Sequence, residues 1–146
     1  MLYFLNSRIT RKQVGRLISK IKPMRTYWKM PNGLKVNYKN ELDAYREYLS
    51  KNEFQKAWRQ LERAHILGQP WVVEHTSVHW LMFRFGVKIK NWHEVFGQIP
   101  RLLVGGVKSF VGKIPVGNTG GANVPPLQPM EIPEDIREMM RPYIKS

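Results

Sequence analysis

The stretch ERAHILGQPWVVEHTSVHW, residues 62–80, holds three of the chain's four histidines and two glutamates within nineteen positions. Imidazole nitrogens and carboxylate oxygens at that density are the donors a divalent transition metal takes, or the acids and bases of proton transfer. Glu62 and His65 stand at i, i+3, and His75 and His79 at i, i+4, so each pair shares a face if its segment is helical. Between the pairs, Gly68-Gln69-Pro70 reads as a helix stop and a turn. Folded as an antiparallel hairpin about that turn, the segment brings His65 roughly level with His75, and Glu62 near His79. Glu62, His65, His75 and His79 are the expected ligands of one divalent ion, Zn²⁺, Co²⁺, Ni²⁺ or Fe²⁺.

Other chemistry stays open for the same residues. A histidine near a helix end can donate to backbone carbonyls and complement the helix dipole, which describes His65. His79 beside Trp80 would serve as a hydrogen-bonded core residue. Acid–base catalysis would use Glu62 or a histidine as base. HTSVH lacks the glutamate of His-Glu-x-x-His, so a zinc-protease site is excluded. Glu62-x-x-His65 matches half of a di-iron carboxylate motif, and the second half is missing. Glu74 projects about 100° away from His75 on a helix and is only a reserve ligand. His93 is expected at the surface. No catalytic residue is assigned.

A second candidate is the glycine-rich string GNTGGAN at 117–123. It is neither a Walker phosphate loop nor a dinucleotide fingerprint. Asn118, Thr119 and Asn123 can bond to turn backbone, and Gly120 and Gly121 permit close packing. The expectation is a loop that wraps back over the helices and covers the histidine face.

Helices must position both stretches. Asn40–Ser50 reads as one, after a turn at Pro31-Asn32-Gly33. A second runs from Glu53 to about Leu67 behind an Asn52 cap, and a third from about Val72 to Phe85. Asn91 caps a fourth carrying Trp92, Val95, Phe96, Ile99, Leu102 and Leu103. KNEFQKAWRQLERA and KNWHEVFGQIPRLL both open on Lys-Asn at an offset of 39, a weak repeat that looks like a degenerate tetratricopeptide-type hairpin pair. A short helix behind Pro133 closes the chain. Thr10–Lys22 has the apolar spacing of a basic amphipathic helix, with Val14, Leu17, Ile18 and Ile21 on one side.

Composition narrows the function classes. The chain has 146 residues, 42% apolar and 24% charged, which suits one small globular domain. It has no cysteine, so disulfides, thiolate zinc sites and thiol nucleophiles are excluded. The net charge of +13 is uneven: residues 1–29 carry eight basic residues and no acid. That segment reads as an arm outside the domain, a solvated element or one that touches anionic surfaces. The expected division is 1–29 as extension, 30–113 as helical domain, and 114–146 as Gly/Pro-rich loop and final helix. No apolar run is long enough for a membrane span, and the expected location is the cytoplasm.

LERAHILGQ, HTSVHWLM, EVFGQIPRL and KIPVGNTGGANVPPLQPMEIP together resemble the small bacterial family of unknown function numbered 3703, over about residues 40–133. PVGNTGGANV is the most specific of these pieces. The resemblance implies no activity. It implies gene neighbourhoods with heavy-metal efflux systems, and it gives the positions of His65, His75 and His79 no role.

The expected fold is all-α: two antiparallel hairpins with an irregular C-terminal wrap. The expected function is a small metal-binding accessory protein in heavy-metal resistance. The alternative is a helix-repeat module that binds a protein partner in a groove between hairpins, with Trp58, Trp80 and Trp92 in its core and purely structural histidines. An enzyme is the third reading. Oligomeric state is left open.

Overall fold

The structure, a computed structural model, describes residues 27–105 and 116–144, with side chains up to Leu103 in the first span. The basic helix expected at 10–22 lies outside the described residues. The described regular elements are five helices: α1 (Asn32–Ser50), α2 (Phe54–Gly68), α3 (Val72–Lys88), α4 (Trp92–Gly105) and α5 (Glu134–Met140). One isolated bridge pairs Tyr27 with Trp71. None of the described helices is long and apolar enough to cross a membrane.

Short connections lay each of the first four helices beside its predecessor. α1 packs on α2, α2 on α3 and α3 on α4, while α5 contacts α1 and α2. Apolar spacing explains the order. Leu34, Tyr38, Leu42 and Tyr45 form one buried stripe of α1. α2 buries Ala57, Leu61, Ala64 and Leu67, and its two alanines suit a helix with neighbours on two sides. Met82 and Phe85 from α3 and Ile136 and Met140 from α5 complete the core. A fork from Arg63 to both oxygens of Glu41, with a further bond from Arg63 Nη2 to Asp135 at 2.6 Å, ties α1, α2 and α5 together.

Three local expectations change. α1 begins at Asn32 rather than Asn40, and Pro31 is its N-cap residue. Pro-Asn-Gly is here a helix start, because the stripe from Leu34 runs through it and proline before a first turn costs no hydrogen bond. Asn52 does not cap α2; it takes φ 58 in the linker, a conformation asparagine tolerates well, and Glu53 is the cap residue. Of the three tryptophans expected in the core, Trp80 and Trp92 lie exposed and Trp58 packs against it, while Trp71 is buried within it. Asn91 does cap α4, accepting from the Glu94 N–H at 3.1 Å.

Candidate metal centre

The turn after α2 sets the site. Gly68 lets α3 start tight against α2: a Cβ there would lie 3.3 Å from the Glu74 carbonyl carbon and 3.4 Å from both the His75 nitrogen and the Tyr38 ring. The Trp71 N–H donates to Gly68 O at 2.8 Å, and α3 returns antiparallel to α2. His65 therefore faces His75 and His79, one turn apart on α3.

The three rings converge. His65 Nε2 lies 2.8 Å from His75 Nε2 and 3.2 Å from His79 Nε2, and the last two are 3.2 Å apart. All three residues are buried. Among the described residues they form one group with donor atoms within 4.8 Å of one another. Three nitrogens bound at 2.0–2.1 Å would be about 3.3 Å apart at tetrahedral angles and about 2.9 Å apart at right angles. Two edges of the observed triangle fall in that range and the third lies at its lower edge, so His65, His75 and His79 would together hold one ion.

Partners on the far ring nitrogens fix the tautomers. His65 Nδ1–H donates to Asn118 O at 2.8 Å. His79 Nδ1–H donates to Gln98 Oε1 at 2.6 Å. The Gln98 amide is oriented by its own nitrogen, which donates to Glu94 Oε1 and to Gly120 O at 2.9 Å. Both Nε2 atoms then present lone pairs to the centre, the state a metal ligand needs. Burial, followed by the His75 and His79 imidazoles, pushes the His65 pKa well below its ordinary value, against the Asn118 bond.

That shift has a stability consequence. An unfolded histidine titrates near 6.5, and the folded His65 refuses its proton until much lower pH. Between those two values the unfolded chain binds more protons, so stability falls as pH falls. Metal-free protein should lose up to about 1.4 kcal/mol per pH unit from this residue once below about pH 6.5. Urea unfolding at pH 7.5, 6.0 and 5.0 with a chelator checks it. A midpoint that holds level or rises on acidification contradicts the assignment, and His65→Gln should flatten the slope by about one proton.

Glu62 stands apart from the trio. It is half-buried, with its carboxyl raised by burial and lowered by the Trp58 indole and by Arg59. Thr119 lies beside it, and Gly121 faces its Oε1. Glu74, the reserve ligand, is buried elsewhere, accepting from the Met30 N–H at 3.2 Å beside Lys35 Nζ at 3.2 Å. His93 is exposed.

The glycine loop closes over the rings. Asn118 is buried; its Oδ1 accepts from the Gly120 N–H, and its Nδ2 donates to Pro125 O and Gln128 O. Gly120, at φ 83, is pressed on the His65 ring, where a Cβ would lie 2.6–2.8 Å from three ring atoms. Arg101 donates to Gly121 O and Val124 O, and Glu94 accepts from the Ala122 N–H. Asn123 is exposed and lines an open cleft of about 510 Å³ with Phe54, Trp58, Phe85 and Glu94.

Glu94, Gln98 and Arg101 are the site residues that sequence reasoning missed. They stand at i, i+4, i+7, a polar stripe on α4 that was available as a signal. The apolar stripe of the same helix competes with it, because apolar spacing ordinarily marks the buried face.

An all-helical protein with a buried, convergent three-histidine cluster is the class that this geometry defines. Within that class, the chain matches the family model described as protein of unknown function, DUF3703, over residues 32–140, and belongs to that family. No curated protein and no solved structure matches it.

Proposed function

We propose that this protein binds one divalent transition metal through His65, His75 and His79. The convergence of three Nε2 atoms within 2.8–3.2 Å of one another carries the reading. Two of these atoms already have lone pairs directed inward, and a cation between them relieves a repulsion that hydrogen bonding alone relieves only in part. An all-imidazole set with no thiolate suits Zn²⁺, Co²⁺, Ni²⁺ or Fe²⁺; Ca²⁺ and Mg²⁺ demand oxygen donors, and soft ions prefer sulfur. Glu62 belongs to the surroundings of the site as an acceptor near the loop. The buried Glu94 carboxyl is linked to His79 through Gln98.

A role in heavy-metal handling is part of this proposal and rests on the family resemblance. The division at residues 30 and 114, and the tetratricopeptide-like character of the α1–α2 and α3–α4 pairs, belong to it too. They are supported by the charge break and by the 39-residue offset of the repeat.

Equilibrium titration tests the reading. Wild type should take up one Zn²⁺ or Co²⁺ per chain, and His65→Ala with His79→Ala should take up none. Gln98→Leu frees the His79 tautomer and should weaken binding about 10–100-fold, the usual cost of losing an outer-shell partner. A wild type that binds neither ion, or a double variant that binds as wild type does, ends the proposal.

A further inference from the structure

α4 is mounted with its polar side inward. Glu94, Gln98 and Arg101 are buried against α3 and the glycine loop. Its apolar stripe therefore points to solvent: Trp92 is 58% exposed, Phe96 66%, Ile99 39% and Leu103 74%. On the adjoining helix α3, Trp80 and Val87 are exposed as well. An amphipathic helix of a single-chain domain turns its apolar stripe to the core. Here the site claims the inner face, and the stripe is left without a partner among the described residues.

We propose that this stripe is the interface of a two-fold symmetric dimer, α4 against α4 of a second copy. Area supports a second copy. At roughly 200 Å² for each large apolar residue, the exposed fractions amount to about 470 Å² on α4 and about 660 Å² with Trp80 and Val87. Two such faces bury about 1,300 Å², inside the range of specific dimers. Charge supports it too. Most of the surface of a +13 chain repels another copy, yet the outward positions of α4 carry no lysine, arginine or acid. Exposed Arg84 and Lys88 on α3 supply the polar rim that such interfaces have. A two-fold axis needs one self-complementary patch, and an apolar helical stripe is self-complementary.

Sedimentation equilibrium of the full chain from about 1 to 100 µM tests it, with Phe96→Glu combined with Leu103→Glu as the variant. The expected mass is twice 17.2 kDa, and the variant should be monomeric, with a dissociation constant raised at least 100-fold. Both positions are exposed, so helix content and one-ion uptake should stay those of wild type. That separates failure of the dimer from failure of the metal reading. A wild type monomeric at 100 µM overturns the proposal, as does a variant that still dimerises. A monomer that binds anionic vesicles through Phe96 and Leu103 overturns it in favour of a membrane surface.

Discussion

Zn²⁺ at a thousandfold excess over its dissociation constant should raise the unfolding midpoint of wild type by roughly 8–16 °C. A ligand bound only to the folded state stabilises it by about 4 kcal/mol at that excess, and each kcal/mol moves the midpoint of a chain this size by about 2–4 °C. The shift is expected because the site is assembled before the ion arrives: His65 is held by Asn118 and His79 by Gln98. Little ordering remains to be done on binding. His65→Ala with His79→Ala should show no shift at any zinc concentration. His93→Ala, on an exposed residue of α4, should keep the whole of it. Differential scanning fluorimetry with and without chelator reads all three. An unmoved wild-type midpoint with Zn²⁺, Co²⁺ and Ni²⁺ alike would remove the metal centre.

Gly120→Ala should cost about 2–3 kcal/mol of stability and weaken metal binding at least tenfold. Two causes add. A φ of 83 penalises any residue with a Cβ by about 1–2 kcal/mol. The new methyl would also overlap the Cγ, Cδ2 and Nε2 atoms of His65 at 2.6–2.8 Å, so the ring or the loop must shift. If the ring moves, the triangle opens; if the loop moves, Asn118 O leaves Nδ1. Gly121→Ala is the control. Its Cβ would meet the Trp58 ring edge at 3.1 Å, a tight contact with a side chain outside the trio, and it should bind metal close to normally. Chemical unfolding and a zinc titration on both variants decide the matter. A Gly120→Ala protein as stable as wild type, with equal affinity, would show that the loop does not hold the ring.

The sequence carried the site further than the fold around it. The Gln69-Pro70 turn, with one histidine before it and two after at i, i+4, contains enough to place His65 against His75 and His79. Hairpin register with a one-turn error could not tell whether Glu62 would join them, and a half-buried carboxyl beside Trp58 and Thr119 is the answer. The start of α1 was hidden because Pro31, Asn32 and Gly33 are breakers by local preference, whereas the stripe from Leu34 to Tyr45 acts over a longer range. α4 shows the deeper limit. Periodicity reveals that a helix has two faces, and the rule that apolar means inward then selects one. That rule gives way where buried polar groups are needed to hold ligand side chains, and the i, i+4, i+7 spacing of Glu94, Gln98 and Arg101 in WHEVFGQIPRLL marks a second face without saying which of the two is buried. The outward Trp92 follows from the same inversion.

The three imidazoles have one more consequence, which concerns oxidants. Zinc sites built on thiolates release their ion when the sulfur is oxidised. This chain contains no cysteine, and imidazole nitrogen does not climb that oxidation ladder. Disulfide-forming oxidants have no thiolate here to act on. Competition for their lone pairs comes from protons and from rival metals, so a thiol oxidant that strips thiolate-bound zinc would leave an ion held by His65, His75 and His79 in place.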